Sequence, residues 1–153
     1  MRVRISRAQI ALLWSLTFPG FGQIYNRQVI KGFTLIGLEF LINLQGGINR
    51  AILYSFHGQF APASQSVDWN WLLFYPCIYI FAAGEAFHQA TLQDHKEYPK
   101  KALVPFILAA MGGTIGAIYG YQFGFGPIFN GLIGMAIGAL IGQFLSKRIL
   151  VDL

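Results

Sequence analysis

Apolar residues along this chain gather into long runs separated by short polar or helix-breaking stretches, and the lengths of those runs set the expected elements. Residues 10–21 form a first run of 12, about 18 Å as a helix against about 30 Å of bilayer hydrocarbon. That is too short to span comfortably. Residues 32–49, between Lys31 and Arg50, number 18, carry the single charge of Glu39 and reach about 27 Å, which predicts a first span. Residues 50–69 mix Ala51, Ile52, Leu53, Tyr54 and Phe56 with His57, Gln59, Ser64, Gln65 and Asp68, and also hold Gly58 and Pro62. They predict an interfacial helix and loop. Trp69 and Trp71 bracket the entry to residues 70–90, as aromatic side chains do at headgroup level, and this run predicts a second span. Beyond the polar connector of residues 91–101, residues 102–146 hold no Asp, Glu, Lys, Arg or His and are broken near the middle by Gly124-Phe125-Gly126-Pro127. Two further spans joined by a tight turn fit that length.

The expected fold is an all-α integral membrane protein, a single membrane domain over residues 1–153. It has four transmembrane helices plus a short re-entrant or interfacial N-terminal helix, with five spans as the alternative. Composition points the same way: 55% of residues are hydrophobic and 11% charged, where a soluble domain carries about 25% charged. The formal net charge of +5 does not indicate nucleic acid, because the cations sit at the ends of apolar runs and not in a patch interleaved with aromatic residues. They act as orientation signals. A crossing of residues 8–24 would leave Arg2, Arg4, Arg7 and Arg50 outside, whereas a segment that dips in and returns leaves only Arg50 there, so that ten of the 11 cations lie inside. Both termini are then expected to be cytoplasmic and residues 50–69 extracytoplasmic, in a cell membrane. A bacterial inner membrane fits this bias and the absence of organellar targeting signals. The charged and apolar start resembles a signal peptide, but cleavage after Gly22 would sever the following turn from its helix, so the segment is expected to be retained.

That turn organises the N-terminal third. Pro19 cannot continue a hydrogen-bonded helix, Gly20 and Gly22 can adopt backbone angles closed to other residues, and Tyr25 and Asn26 suit a polar interface. Pro19-Gly20-Phe21-Gly22-Gln23-Ile24-Tyr25-Asn26, followed by Gly32, resembles the motif of the two-transmembrane hairpin domain family, in which a Gly-rich turn with a Tyr joins two apolar helices. Gln23-Ile24-Tyr25 stands where that family has a His and a Phe-Tyr pair. The resemblance covers residues 8–49 and implies a membrane hairpin; it implies little about chemistry.

Gly112, Gly116, Gly120 and Gly124 recur every four residues, as do Gly134, Gly138, Gly142 and Ser146. Each row lies near one helical face and lets backbones approach closely, the pattern of a glycine zipper. An antiparallel hairpin within one chain is favoured over homo-oligomerisation or a pore, since the turn already sets the rows side by side. Glu39 falls near the middle of the first span, sharing a face with Gly32, Asn43 and Gly46, and a carboxyl group there must be neutral or paired. Glu85 and His88 lie one turn apart on the second span. Glu39 leans toward the cytoplasmic end and Glu85 away from it, so the two are expected to approach a common depth. A Glu-x-x-His pair is also a metal-ligand spacing, but a di-metal site needs two such pairs and further glutamates, and only one is present. Cys77 has no intrachain partner and is expected to pack. No nucleophile has a base at a local spacing and no loop cradles phosphate, so neither catalytic residues nor a cofactor nor a metal is expected. The residues point to the lipid bilayer and possible other membrane proteins or further copies of the chain as partners. The expected role is an assembly, scaffold or regulatory subunit. The alternative is a small transporter or channel component with Glu39 as its protonatable group, and a third reading is a metal-dependent membrane enzyme using Glu39, Glu85 and His88.

Overall fold

The computed structural model describes residues 5–94, 97 and 100–148. Arg2 and Arg4, and His95, Lys96, Tyr98 and Pro99 of the connector, lie outside the described residues. The described chain is all-helical, without strands, and runs α1 (Arg7–Thr17), α2 (Phe21–Tyr25), α3 (Val29–Gly46), α4 (Ile48–Phe56), α5 (Phe60–Gln65), α6 (Trp69–Leu72), α7 (Tyr75–Gln93), α8 (Val104–Tyr119) and α9 (Gly126–Arg148).

A capping box starts α1: Ser6 Oγ accepts from the Gln9 backbone N–H at 3.2 Å and Gln9 Oε1 accepts from the Ser6 N–H at 2.8 Å. Pro19 and Gly20 end it, and Gly20, at φ 101°, takes the left-handed turn that sends the chain back along its own path. Gly22 then lies against the Ala11 carbonyl and Ser15, and the Arg7 guanidinium stands 6.0 Å from the Tyr25 ring. The polypeptide thus returns to its starting level by Tyr25. The tip at Gly20 is set against Gly32 and Ile36 in the first two turns of α3.

Helix α7 lies at the centre, packed against α1, α2, α3 and α8, and its Ala82, Ala83, Ala86 and Ala90 are fully buried. At one end of the bundle Arg7 reaches Asp94 at 4.0 Å and Gln93 Nε2 donates to the Asn26 carbonyl at 2.9 Å. At the other end the Asp68 N–H donates to the Gly46 carbonyl at 3.1 Å, and the Phe60 ring lies 6.1 Å from Phe125 and from Phe129. Around α4 to α6, Ile42, Ile48, Ala51, Ala63, Val67 and Leu72 form an apolar core.

Several boundaries differ from those the hydropathy pattern predicts. The first long helix ends at Gly46 and not Asn49, because Gly47 turns the chain into α4. The run 70–90 is divided into α6 and α7: Pro76, in the first turn of α7, has no N–H to continue the ladder from Leu72. Among the described residues three helical segments are long and apolar enough to cross a membrane, Val29–Gly46, Lys101–Tyr119 and Gly126–Arg148, with mean hydropathies of 1.2, 1.8 and 1.8. That is one fewer than the four expected. The missing one is α7, which is 19 residues long but lowered in hydropathy by Glu85, His88, Gln89 and Gln93. A helix packed against four others can carry polar residues on the faces they cover, as Glu85 and Gln93 do here.

Candidate functional site

The buried polar groups concentrate on two faces of α7. The first meets the N-terminal turn. Gln23 is 0% exposed, and its Nε2 donates to the Ala82 carbonyl at 2.8 Å and to Glu85 Oε2 at 2.7 Å, while its Oε1 accepts from Ser15 Oγ at 3.3 Å. Lys31 forms an ion pair with the other oxygen of Glu85. One turn further along α7, Asn26 Nδ2 donates to the Ala86 carbonyl at 2.8 Å. The Tyr79 hydroxyl donates to the Leu16 carbonyl near the end of α1. A polar seam from α1 through α2 and α3 thus hydrogen-bonds to α7, with Asn26 Oδ1 and Gln93 Oε1 left without a partner among the described residues. Local sequence produces it: Gly22 has no side chain to hold α2 off α1 and Ala86, so Gln23 and Asn26, three residues apart, both turn onto α7.

Asn26, expected at a polar interface beside Tyr25, is 1% exposed, whereas Tyr25 is on the surface. The turn residues Pro19, Gly20 and Gly22 are all buried.

The second face holds Glu39, which is 3% exposed on α3. Its carboxyl group interacts with the side chains of Tyr75, at the start of α7, and Asn43, and Oε2 has no hydrogen-bond partner. Asn43 Oδ1 also accepts from the Asn49 N–H at 3.2 Å, which closes the turn into α4. Glu39 and Glu85 do not meet: Tyr75 precedes Glu85 by ten residues on α7, about 15 Å along the axis. The lean of their side chains covers only part of that separation, and Lys31 and Gln23 take up Glu85 instead. His88 lines an apolar groove of about 720 Å³ between α7 and α8, beside Glu85, Phe106 and Met111. Cys77 lines the same groove and is exposed, because α7 turns that face away from α1 and α3. Among the described residues no three His, Cys, Asp or Glu side chains converge as a metal site would require.

The glycine rows of α8 and α9 face each other. A Cβ at Gly112 would fall on the Gly134 carbonyl, one at Gly116 on the Asn130 carbonyl, and one at Gly138 on the Leu108 carbonyl. Gly142 abuts Pro105, and Gly120 abuts the Asn130 side chain, whose Nδ2 donates to the Gly120 carbonyl at 2.6 Å. Gly124 is not part of this contact: it lies in the turn at φ 81° with nothing within 4 Å of a Cβ position, because α8 has already ended at Tyr119.

Sequence reading missed Ser15, Gln23, Tyr75, Tyr79, Gln93 and Asn130 as structural polar groups. For Ser15, Tyr75, Tyr79 and Asn130 the available signal was their place inside apolar runs, where a hydrogen-bonding side chain needs an internal partner; Gln23 and Gln93, in the turn and the polar connector, carried no such signal. No family model, curated protein or solved structure matches the chain.

Proposed function

We propose that the chain is a multi-pass membrane protein that acts as an assembly, scaffold or regulatory subunit through helix packing within the bilayer. The observation that carries this reading is the inversion of surface and interior. On α3, Ile30, Phe33, Phe40 and Leu44 point outward, 64–86% exposed, while Glu39 is enclosed; Gln23, Asn26 and Asn130 are enclosed likewise. In water each Å² of such apolar surface costs about 25 cal/mol, and facing lipid removes that cost. Helix α7 serves as the fourth crossing: α3 and α8 rise from the same end of the bundle, so the intervening chain must return, and only α7 is long enough to do so. Helices α1 and α2 form the re-entrant arm of the two-transmembrane-like hairpin, and α8 with α9 forms an intramolecular glycine zipper.

Impermeant thiol labelling tests the orientation. In a Cys77→Ser background, Gln65→Cys is expected to react in intact cells and Ile5→Cys only after the membrane is opened. Both positions are exposed, and Ser6 is spared because it caps α1. Labelling of Ile5→Cys in intact cells would favour five spans and remove the re-entrant arm.

A second reading, a proton-linked transporter, is favoured by the unpartnered Oε2 of the enclosed Glu39 beside Tyr75. Glu39→Gln keeps the shape and an N–H donor, so the fold is expected to survive. Proton and solute flux in proteoliposomes separates the two. A scaffold shows no flux above empty vesicles in parent or variant, whereas a carrier shows flux that Glu39→Gln abolishes.

A further inference from the structure

We propose that the cleft formed by Arg7, Tyr25, Arg27 and Gln93 binds the phosphate of an anionic glycerophospholipid with an uncharged headgroup, such as phosphatidylglycerol. The proposal rests on the membrane reading above and adds a ligand to it. The cleft, about 540 Å³, lies where the start of α1, the turn after α2 and the end of α7 come together. Its depth is set by the chain: Arg27 precedes α3 by two residues and Gln93 is the last residue of α7, which places the cleft at headgroup level in the proposed orientation.

Two guanidinium groups converge there with one carboxylate at the edge. Arg7 meets Asp94 at 4.0 Å, the outer limit of an ion pair, and Arg27 has no ion pair among the described residues. Lys31 is already neutralised by Glu85. Among the described residues, then, one guanidinium of the cleft has no carboxylate partner, and a phosphodiester matches it with its single negative charge. A zwitterionic headgroup would bring an additional cation beside two arginines. Guanidinium groups pair with phosphate through paired N–H donors, and the Tyr25 hydroxyl and the second N–H of the Gln93 amide are neutral partners for headgroup hydroxyls.

The position of Arg27 is an independent sign. It is the only non-glycine among the described residues with a positive φ, 64°, and it is held there by bonds on both sides, from its own N–H to the Ile24 carbonyl and from the Gln28 N–H to the Gln23 carbonyl, both at 2.9 Å. Glycine or asparagine suits such a conformation better. An arginine there is accounted for by what its side chain does at the cleft and not by the turn it makes.

Arg27→Gly removes the charge while relieving the backbone, so folding is not put at risk. The full-length protein in neutral detergent is titrated with phosphatidylglycerol, phosphatidylcholine or glycerol 3-phosphate, and binding is read from native mass spectra and the thermal midpoint. The parent is expected to bind phosphatidylglycerol at least about tenfold more tightly than phosphatidylcholine and to ignore glycerol 3-phosphate at matched concentration. Arg27→Gly combined with Arg7→Gln is expected to lose the preference, and Arg27→Lys to retain part of it. Equal binding of the two lipids by the parent, or a preference that survives the double substitution, would overturn the site. A response to glycerol 3-phosphate equal to that for the lipid would overturn the lipid source in favour of soluble phosphate. Release of the chain from membranes by carbonate washing would remove the membrane reading itself, a result distinct from any of these.

Discussion

Gly116→Leu and Gly138→Leu are expected to destabilise the protein by about 3 kcal/mol each, the upper end of the overpacking range, while Gly37→Leu is expected to leave it near the parent. The first two glycines stand where a Cβ would fall on a backbone carbonyl of the facing helix, Asn130 for Gly116 and Leu108 for Gly138. A carbonyl belongs to a hydrogen-bonded helix and cannot swing aside as a side chain does, so α8 and α9 must separate along their length. Gly37 is exposed on α3 with nothing within 4 Å of a Cβ, and leucine there gains helix propensity of about 1 kcal/mol. All three variants gain that propensity, which makes a loss at Gly116 or Gly138 attributable to packing. Thermal midpoints in detergent decide the matter. A variant with the parent's midpoint and an altered oligomer size would place these faces between chains and defeat the intramolecular hairpin.

Gln23→Glu is expected to be the most damaging isosteric change in the N-terminal third, at about 3–5 kcal/mol, the cost of leaving a buried charge uncompensated. The side-chain nitrogen of Gln23 donates to both the Ala82 carbonyl and Glu85. Glutamate replaces that donor with an oxygen facing two acceptors, one already negative. Gln23→Met keeps a similar volume and forfeits only the hydrogen bonds, so a smaller loss of about 1–3 kcal/mol is expected. The order of stability is therefore parent, methionine, glutamate. Combining Gln23→Glu with Glu85→Gln returns one carboxylate and one amide to the pair and is expected to recover part of the loss, a coupling that a double-mutant cycle measures directly. Equal midpoints for the methionine and glutamate variants would show that the pair does not face each other as described.

The run lengths of the sequence alone determined α3, α8 and α9, and Pro19-Gly20 determined where α1 stops, because hydropathy and helix breaking are properties of neighbouring residues. The four-residue spacing of Gly112, Gly116 and Gly120 likewise marked a face that admits a close backbone. What the sequence left undecided was which polar group meets which. Glu39 had to be neutral or paired, and that requirement was legible, but neither its partner nor those of Glu85 were. Lys31 and Gln23 reach Glu85 only because Gly22 lets α2 close on Ala11, Ser15 and Ala86, and Gly20 lets the tip rest on Gly32. Tyr75 reaches Glu39 because Pro76 starts α7 at that depth. Helix α7 shows the same division from the other side. Its hydropathy falls short of a span, since that measure averages over a surface assumed to face lipid. Only the packing of α1, α2 and α3 against it reveals that Glu85 and Gln93 meet protein, through hydrogen bonds to Gln23, Lys31 and Asn26 far away in the chain.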